Sequence, residues 1–253
     1  MESIEMKGGK KTPYLSLTFY DVKIIVKCDS QFTGRGGSVR ARKTNTSLRK
    51  EQIIEAALAA IAAEGVHALS IAGIAERVGI VPSALYRHFR GKDEVLDAIL
   101  DFIGARLLGN VKAARGESTA ALQRLKSLLI RHACLLQENK AIPKIVFSDG
   151  IYADHPDRKK KVHDIITVYL EEIERIIHEG VQEGSINKNI SPGTGAMFFL
   201  GSLMPAAILG NVLGDDIDIL AHSKEAWLIF ERSIVVDKRI LKDIDGGKAN
   251  EDT

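Results

Sequence analysis

The stretch that decides the fold is "VGIVPSALYRHFRGKDEVL", residues 78–96. Pro82 follows a Gly79 turn and suits the first position of a helix, because its φ is already helical and its missing N–H is not needed there. Leu85 and Phe89 are four residues apart and therefore share one face. The other side carries hydrogen-bonding side chains: Ser83, Tyr86, Arg87 and Arg90. This spacing predicts a short helix from Pro82 to Gly91 that is anchored by two apolar residues.

Helical patterns flank this stretch on both sides. "LRKEQIIEAALAAIAAEG" (48–65) has apolar residues at helical spacing and stops at Gly65. "SIAGIAERVG" (70–79) starts with Ser70 as a natural N-cap, and Asp93 and Glu94 suit the start of the next helix. Two short helices joined by a tight turn, the second with a polar outer face, indicate a helix-turn-helix. Such a motif places its second helix in the DNA major groove.

Residues 49–96 resemble the DNA-binding domain of the tetracycline-repressor (TetR) family of bacterial transcription regulators. The motifs that carry the resemblance are "IIEAALAAIAAEG", "SIAGIAERVG", "ALYRHF" and "GKDEVL". The resemblance implies roles in binding DNA bases or phosphates for Ser70, Ser83, Ala84, Tyr86, His88 and Lys92. Arg87 is a further donor suited to phosphate oxygens. The sequence departs from the family pattern at Val81, where the family commonly has Ser or Thr. Val cannot accept the capping hydrogen bond, which is worth about 1 kcal/mol. We therefore expect Pro82 to preorganise the helix.

The charge distribution supports a polyanionic partner for the N-terminal part. Residues 35–92 contain ten Lys and Arg against four Glu, and because the whole chain has a net charge of only +2, residues 93–253 are net acidic. Residues 30–50 contain no acid and form a basic arm, which is either a solubilising tail or a DNA contact made by Arg42, Lys43 and Arg49. Ahead of it, residues 15–28 alternate like a short hairpin, or they belong to a translated leader.

After residue 110 the pattern is helical throughout. We expect helices at 118–139, in "IPKIVFSD", from Pro156 onward with "DRKKK" as an exposed start, and at 224–236. The predicted fold class is all-α, with an N-terminal helix-turn-helix domain followed by a helical ligand-binding and dimerisation domain. The predicted divisions are an N-terminal extension (1–40), the DNA-binding domain (41–93), the effector-binding and dimerisation domain (94–240) and a polar tail (241–253).

Residues 189–214 carry no charge and are long enough to cross a bilayer core of roughly 30 Å. Glycines and prolines dilute the segment, so we expect a buried core or interface helix, kinked at Pro205, rather than a membrane span. A membrane-associated helical sensor stays the alternative. The TetR resemblance implies that helices near 191–213 and 224–236 pack against a second copy; the candidate residues are Leu203, Leu209, Trp227, Phe230 and Ile234. A homodimer also suits a palindromic operator.

The resemblance further implies a small-molecule effector that lowers operator affinity, as in a repressor. The candidate lining residues are Met and aromatic side chains, although such residues are more often core: Phe147, Tyr152, Met197, Phe199 and Met204. The effector's identity does not follow from the sequence.

Several other function classes are disfavoured. Cys28 and Cys134 lack any metal or redox spacing, which is typical of a reducing cytoplasm. The seven histidines lack ligand spacing, so we expect no metal and no cofactor. Phosphate-binding, nucleophile-elbow, zinc-protease and dinucleotide motifs are missing, so a helical enzyme is a weaker hypothesis than a regulator, and a non-catalytic helical protein stays open.

Overall fold

The structure is a computed structural model that describes residues 45–152, 155–213 and 217–236. Three sequence predictions lie outside these residues: the hairpin at 15–28, the DNA contacts of Arg42 and Lys43, and the tail at 241–253.

The described residues form α-helices, one 3₁₀ turn and a single isolated bridge between Ile186 and Val235, which confirms the all-α prediction. The helices are α1 (Asn45–Glu64), α2 (Ile71–Val78), α3 (Pro82–Leu85), α4 (Lys92–Glu117), α5 (Ala121–Glu138), α6 (Ala141–Val146), α7 (Asp149–Tyr152), α8 (Pro156–Gln182), α9 (Pro192–Gly201), α10 (Met204–Leu213) and α11 (Ile219–Ile234). The 3₁₀ turn, Val66–Ala68, connects α1 to α2.

The helix α2 begins and ends at its predicted signals, and α3 begins at its predicted signal. Ser70 caps α2 by accepting a hydrogen bond from the Gly73 amide at 3.1 Å, and Gly79 ends α2 in the left-handed region at φ 73°. Val81 precedes α3 without a side-chain capping bond, and Pro82 occupies the first turn, as the sequence predicts. The turn between α2 and α3 is therefore set by backbone chemistry.

The helix α3 is shorter than predicted. Regular α-helix ends at Leu85, and the chain continues as a turn in which the His88 amide donates to the Leu85 carbonyl, a tighter i to i−3 bond. The Phe89 amide still donates to the Leu85 carbonyl at 3.1 Å, so the spiral persists to the second anchor. Phe89 thus stays below Leu85 even though the geometry between them is irregular.

The long helix α4 connects the DNA-binding part to the body. Its first residue is Lys92, and its apolar stripe from Val95 to Val111 is buried. The described helices belong to one compact unit, so the domain boundary at 93/94 stays a prediction. The helix α4 crosses this boundary without interruption.

The uncharged segment is two helices rather than one kinked helix. It breaks after Gly201, and Pro205 lies in the first turn of α10, where its missing N–H costs nothing. The Ser202 carbonyl at the break is bonded to His222 Nε2 of α11 at 2.8 Å. By length and composition, Pro192–Gly210 is the one stretch among the described residues that could cross a membrane, with a mean hydropathy of 1.4. The helices α9 and α10 have ten residues each and are therefore about 15 Å long, which is half the thickness of a bilayer core.

Candidate nucleic-acid interface and effector cavity

The turn and helix from Val81 to Phe89 have one buried and one exposed side. Leu85 is fully buried and Phe89 is 3% exposed, whereas Tyr86 is 56% exposed and Val81 63% exposed. Ser83 and Arg87 are also exposed, and Ala84 is half-buried. The two predicted anchors therefore hold the segment while its hydrogen-bonding side chains face solvent. The roles of these side chains in DNA binding stay predictions.

Ser70 lies at the exposed start of α2. Its Oγ accepts from the Gly73 amide, which uses one lone pair and leaves the hydroxyl proton available. Capping the helix and donating to a phosphate oxygen are thus compatible for the same side chain. The positive end of the helix dipole adds to the attraction for an anion at this position.

Two side chains that are predicted to bind phosphates lie where the chain passes from α3 to α4. His88 is half-buried, and its Nδ1 lies inside without a hydrogen-bond partner. The exposed Lys92 opens α4, and the Glu94 carboxylate fixes the preceding turn by accepting from the Arg90 amide at 2.6 Å. This bond fixes the backbone just before Lys92.

The described end of the basic arm is helical and partly engaged. Arg49 is half-buried in α1. Its side chain is therefore less accessible to DNA than it would be in an extended arm. The Lys50 Nζ lies 5.3 Å from the centre of the Phe89 ring, a cation–π contact. This contact connects α1 to Phe89, the second anchor of the segment Val81–Phe89, which we call the reading segment.

The body contains an apolar cavity of about 230 Å³. Its walls are aliphatic side chains of α4, α5, α6 and α8, and Leu200 and Met204 close it from α9 and α10. Of the predicted effector-binding residues, only Phe147 and Met204 line this cavity. Phe147 is 58% exposed, so it lies at the mouth.

The other three predicted effector-binding residues do not line the cavity. Tyr152 donates its hydroxyl to the Val146 carbonyl at 2.7 Å. Met197 is exposed on α9, and Phe199 is fully buried edge-on against Phe230, with ring centres 5.5 Å apart. Helical periodicity alone does not distinguish cavity, core and surface positions. Whether these three residues contact an effector stays a prediction.

The cavity wall holds a buried polar pair that the sequence analysis missed. His132 Nδ1 and the Tyr169 hydroxyl are 2.9 Å apart, and both side chains line the cavity. Burial lowers the pKa of His132 to about 4 and raises the pKa of Tyr169, so both are neutral at physiological pH. A histidine within the apolar stripe of α5 was the available signal.

Most of the predicted dimer residues belong to the protomer's own core. Leu203, Trp227, Phe230 and Ile234 are at most 6% exposed, and α11, which carries the last three, packs against α5 and α9. Leu209 alone is substantially exposed. An apolar surface does exist on α9, α10 and α11, made of other residues: Met197, Phe198, Ile208, Val212, Leu213 and Ile229. The predicted helices are thus suited to an interface, through faces different from those predicted.

Two basic side chains join the body to the DNA-binding helices. Lys144 of α6 donates to the Ala62 carbonyl near the end of α1 at 2.5 Å. Arg158 of α8 donates to Asp97 Oδ1 at 2.7 Å and to Asp93 Oδ1 at 3.0 Å in the first turns of α4. The prediction that 157–161 is an exposed helix start is wrong for Arg158, which is 4% exposed. Helices α6 and α8, which line the cavity, therefore also contact α1 and α4, the helices on either side of the helix-turn-helix.

Within the ranges that the structure describes, no three His, Cys, Asp or Glu side chains come together as a metal site.

Comparisons with known proteins agree with this architecture. Residues 53–99 match the model of bacterial regulatory proteins of the tetR family. The fatty acid metabolism regulator protein of Bacillus subtilis is 23% identical over 152 residues, which are 60% of this chain and 78% of the relative.

Two solved structures share the fold. The fatty acid degradation regulator FadR from Bacillus halodurans superposes with a TM-score of 0.64 at 20% identity, over 76% of this chain and 97% of FadR. SmeT, the repressor of a Stenotrophomonas maltophilia multidrug efflux pump, superposes in its triclosan complex with a TM-score of 0.62 at 19% identity, over 76% and 93% of the two chains. With the helix-turn-helix, its anchors and the family match at the same residues, residues 53–99 belong to the tetR family of bacterial regulatory proteins.

Proposed function

We propose that this regulator is a homodimeric repressor that binds a palindromic operator in the cytoplasm and is released by a small, largely apolar effector. The observation that carries the proposal is the two-sided segment from Val81 to Phe89, with Leu85 and Phe89 buried and Tyr86 and Arg87 exposed. A helix presented in this way fits a major groove.

We assign base-proximal positions to Ser83, Ala84 and Tyr86. Arg87, His88 and Lys92 are assigned to phosphates. For His88, Nδ1 is buried without a partner, so Nε2 is the ring nitrogen that we assign to the phosphate contact. Ser70 donates its hydroxyl to a phosphate while it caps α2. We assign Arg49, together with Arg42 and Lys43 ahead of it in the sequence, to further phosphate contacts through their positive charge.

A homodimer is supported by the apolar surface on α9, α10 and α11. Phe198, Val212 and Ile229 are each more than 70% exposed, which is costly for three large apolar side chains in water. A second copy would cover the same patch, as in a two-fold symmetric interface. Two reading segments would then face two half-sites one helical turn apart, about 34–36 Å.

The effector site is the cavity behind Phe147. Its wall is apolar, and the relative SmeT is solved with triclosan, a small molecule, bound. An occupant would displace α6 and α8, which hold Ala62 through Lys144 and the start of α4 through Arg158. A shift of these contacts changes the separation of the two reading segments and lowers operator affinity.

The test is selection of genomic fragments bound by the purified protein, followed by affinity measurements on the fragment recovered. We expect a palindrome, weaker specific binding by Tyr86→Ala, and weaker binding to all sequences by Lys92→Ala. Val81→Ala, at an equally exposed position without a hydrogen-bonding group, is the matched control. Equal affinity of the wild type and both variants for that fragment would refute the proposal.

A further inference from the structure

The polar groups at the cavity decide what chemistry an occupant can have. None of the side chains lining it is charged, and the only two with strongly polar groups, His132 and Tyr169, are bonded to each other. The ring centres lie 5.4 Å apart in an edge-to-face arrangement, so both rings are fixed by the contact. With this bond made, the wall exposes no polar surface to an occupant.

We propose that the cavity accepts the uncharged hydrocarbon part of a ligand and discriminates against hydroxyl and carboxylate groups, because the His132–Tyr169 bond leaves them without a partner. This inference rests on the proposed function, whose effector site it describes. The pair acts as a specificity determinant: it keeps two polar side chains in the wall without offering either one to the ligand.

The alternative is that the pair is a hydrogen-bonding site for the ligand. That reading requires the ligand to break a 2.9 Å bond between two buried groups and to replace both halves of it. A single hydroxyl replaces both halves only by inserting between the two groups, which requires their 2.9 Å separation to open to roughly 4.5–5 Å within a packed wall. A hydrocarbon occupant leaves the bond intact and gains the apolar contact at no such cost.

The neutral state of the pair disfavours anions. Burial lowers the pKa of His132 to about 4, so its imidazole provides no positive charge for a carboxylate at neutral pH. Any polar head group of a larger ligand must therefore stay at the mouth, beside the exposed Phe147.

The volume limits the size of the enclosed part. An engineered cavity of about 150 Å³ holds benzene, so a volume of 230 Å³ accommodates roughly nine or ten non-hydrogen atoms. Two fused six-membered rings meet this limit and make suitable probes.

The experiment measures binding of naphthalene, 1-naphthol and 1-naphthoate to the full-length protein by calorimetry and equilibrium dialysis in the absence of DNA. We expect naphthalene to bind at least about fivefold more tightly than 1-naphthol, because burying an unpaired hydroxyl is costly. For 1-naphthoate we expect no saturable binding. In Tyr169→Phe, His132 Nδ1 becomes available to the hydroxyl, and the preference for naphthalene falls by about three- to tenfold.

Tyr152→Phe is the matched control, since it also removes one tyrosine hydroxyl, and Tyr152 bonds to the Val146 carbonyl without itself lining the cavity. It should keep the wild-type preference. Equal affinities of the wild type for naphthalene and 1-naphthol overturn the inference, and so does an unchanged preference in a folded Tyr169→Phe. If circular dichroism shows that Tyr169→Phe is unfolded, the relative affinities of the wild type for the three probes still test the inference.

The same data separate this inference from the proposed function. Tight but indiscriminate binding overturns only the selectivity, whereas absence of binding by all three probes overturns both the selectivity and the assignment of the cavity as the effector site. Discrimination without any effect of naphthalene on DNA affinity supports the selectivity and counts against release by this cavity.

Discussion

Arg158 is the residue whose replacement tests the connection between the body and the reading segment. Its guanidinium is buried and donates to Asp97 Oδ1, to Asp93 Oδ1 and to the Asp93 carbonyl at 2.7, 3.0 and 3.2 Å. Arg158→Met keeps the volume of the aliphatic stem and removes all three bonds. Arg158→Lys keeps the charge but not the planar fork that reaches two carboxylates at once.

The magnitude follows from the burial of each partner. Breaking a fully buried pair costs about 3–5 kcal/mol, because the remaining charge is left unpaired. Asp93 and Asp97 are 54% and 44% exposed, so water solvates them once the arginine is gone, and an exposed pair is worth only about 0–1 kcal/mol. We therefore expect Arg158→Met to lower the free energy of unfolding by about 2 kcal/mol, which at this chain length lowers Tm by about 4–8 °C.

A matched control lies one turn further along α8. Lys161 pairs with Asp101 of α4 at 2.8 Å, but both side chains are substantially exposed. Lys161→Met therefore removes a charge pair between the same two helices at a cost below about 1 kcal/mol. Comparing the two variants separates a buried clamp from general charge loss.

The assay combines thermal unfolding with operator affinity measured well below Tm. Arg158→Met should lower both, since α4 opens with Lys92 directly beside the clamp, and Arg158→Lys should fall between it and the wild type. The reasoning is wrong if Arg158→Met melts within 1 °C of Lys161→Met. Lower stability with unchanged operator affinity would show that the clamp supports the fold without positioning the reading segment.

Three further predictions concern pH, the anchors and the dimer. The pKa of His132 falls from 6.5 to about 4 on folding, so stability is complete above about pH 6.5 and is lost as pH falls towards 4, by up to about 1.4 kcal/mol per pH unit; urea melts should show a shallower decline for His132→Asn. Leu85→Ala should cost about 2–5 kcal/mol and abolish DNA binding, whereas Val81→Ala should stay within about 0.5 kcal/mol; equal melts would contradict the assignment of Leu85 as an anchor. Ile229→Glu places a charge on the exposed face of α11 and should give folded monomers by light scattering; an unchanged dimer mass at micromolar concentration would show that this face is not the interface.

The reading segment could be predicted from the sequence because its signals are local. Ser70, Gly79 and Pro82 act through the backbone within a few residues of themselves, and the four-residue spacing of Leu85 and Phe89 defines a face without reference to the rest of the chain. Even there, the early end of α3 at Leu85 was not predictable, because a tighter turn preserves the same spacing.

The body was harder to predict because its properties depend on which helices meet. The helices α9 and α11 are rich in apolar residues, and nothing in their spacing says that Trp227 faces the core while Ile229 faces outward. Likewise, Arg158 in a run of lysines reads as a solvated side chain until α4 supplies two carboxylates. The cavity arises from six helices at once, and no single stretch of sequence specifies it.

The most direct test of DNA recognition by this surface is the salt dependence of affinity for the selected fragment, measured by fluorescence anisotropy for the wild type and Lys92→Ala. A phosphate contact at this position should make the slope of log affinity against log salt shallower by about one for each bound subunit. Identical slopes, with Lys92→Ala binding as tightly as the wild type at every salt concentration, would contradict the account.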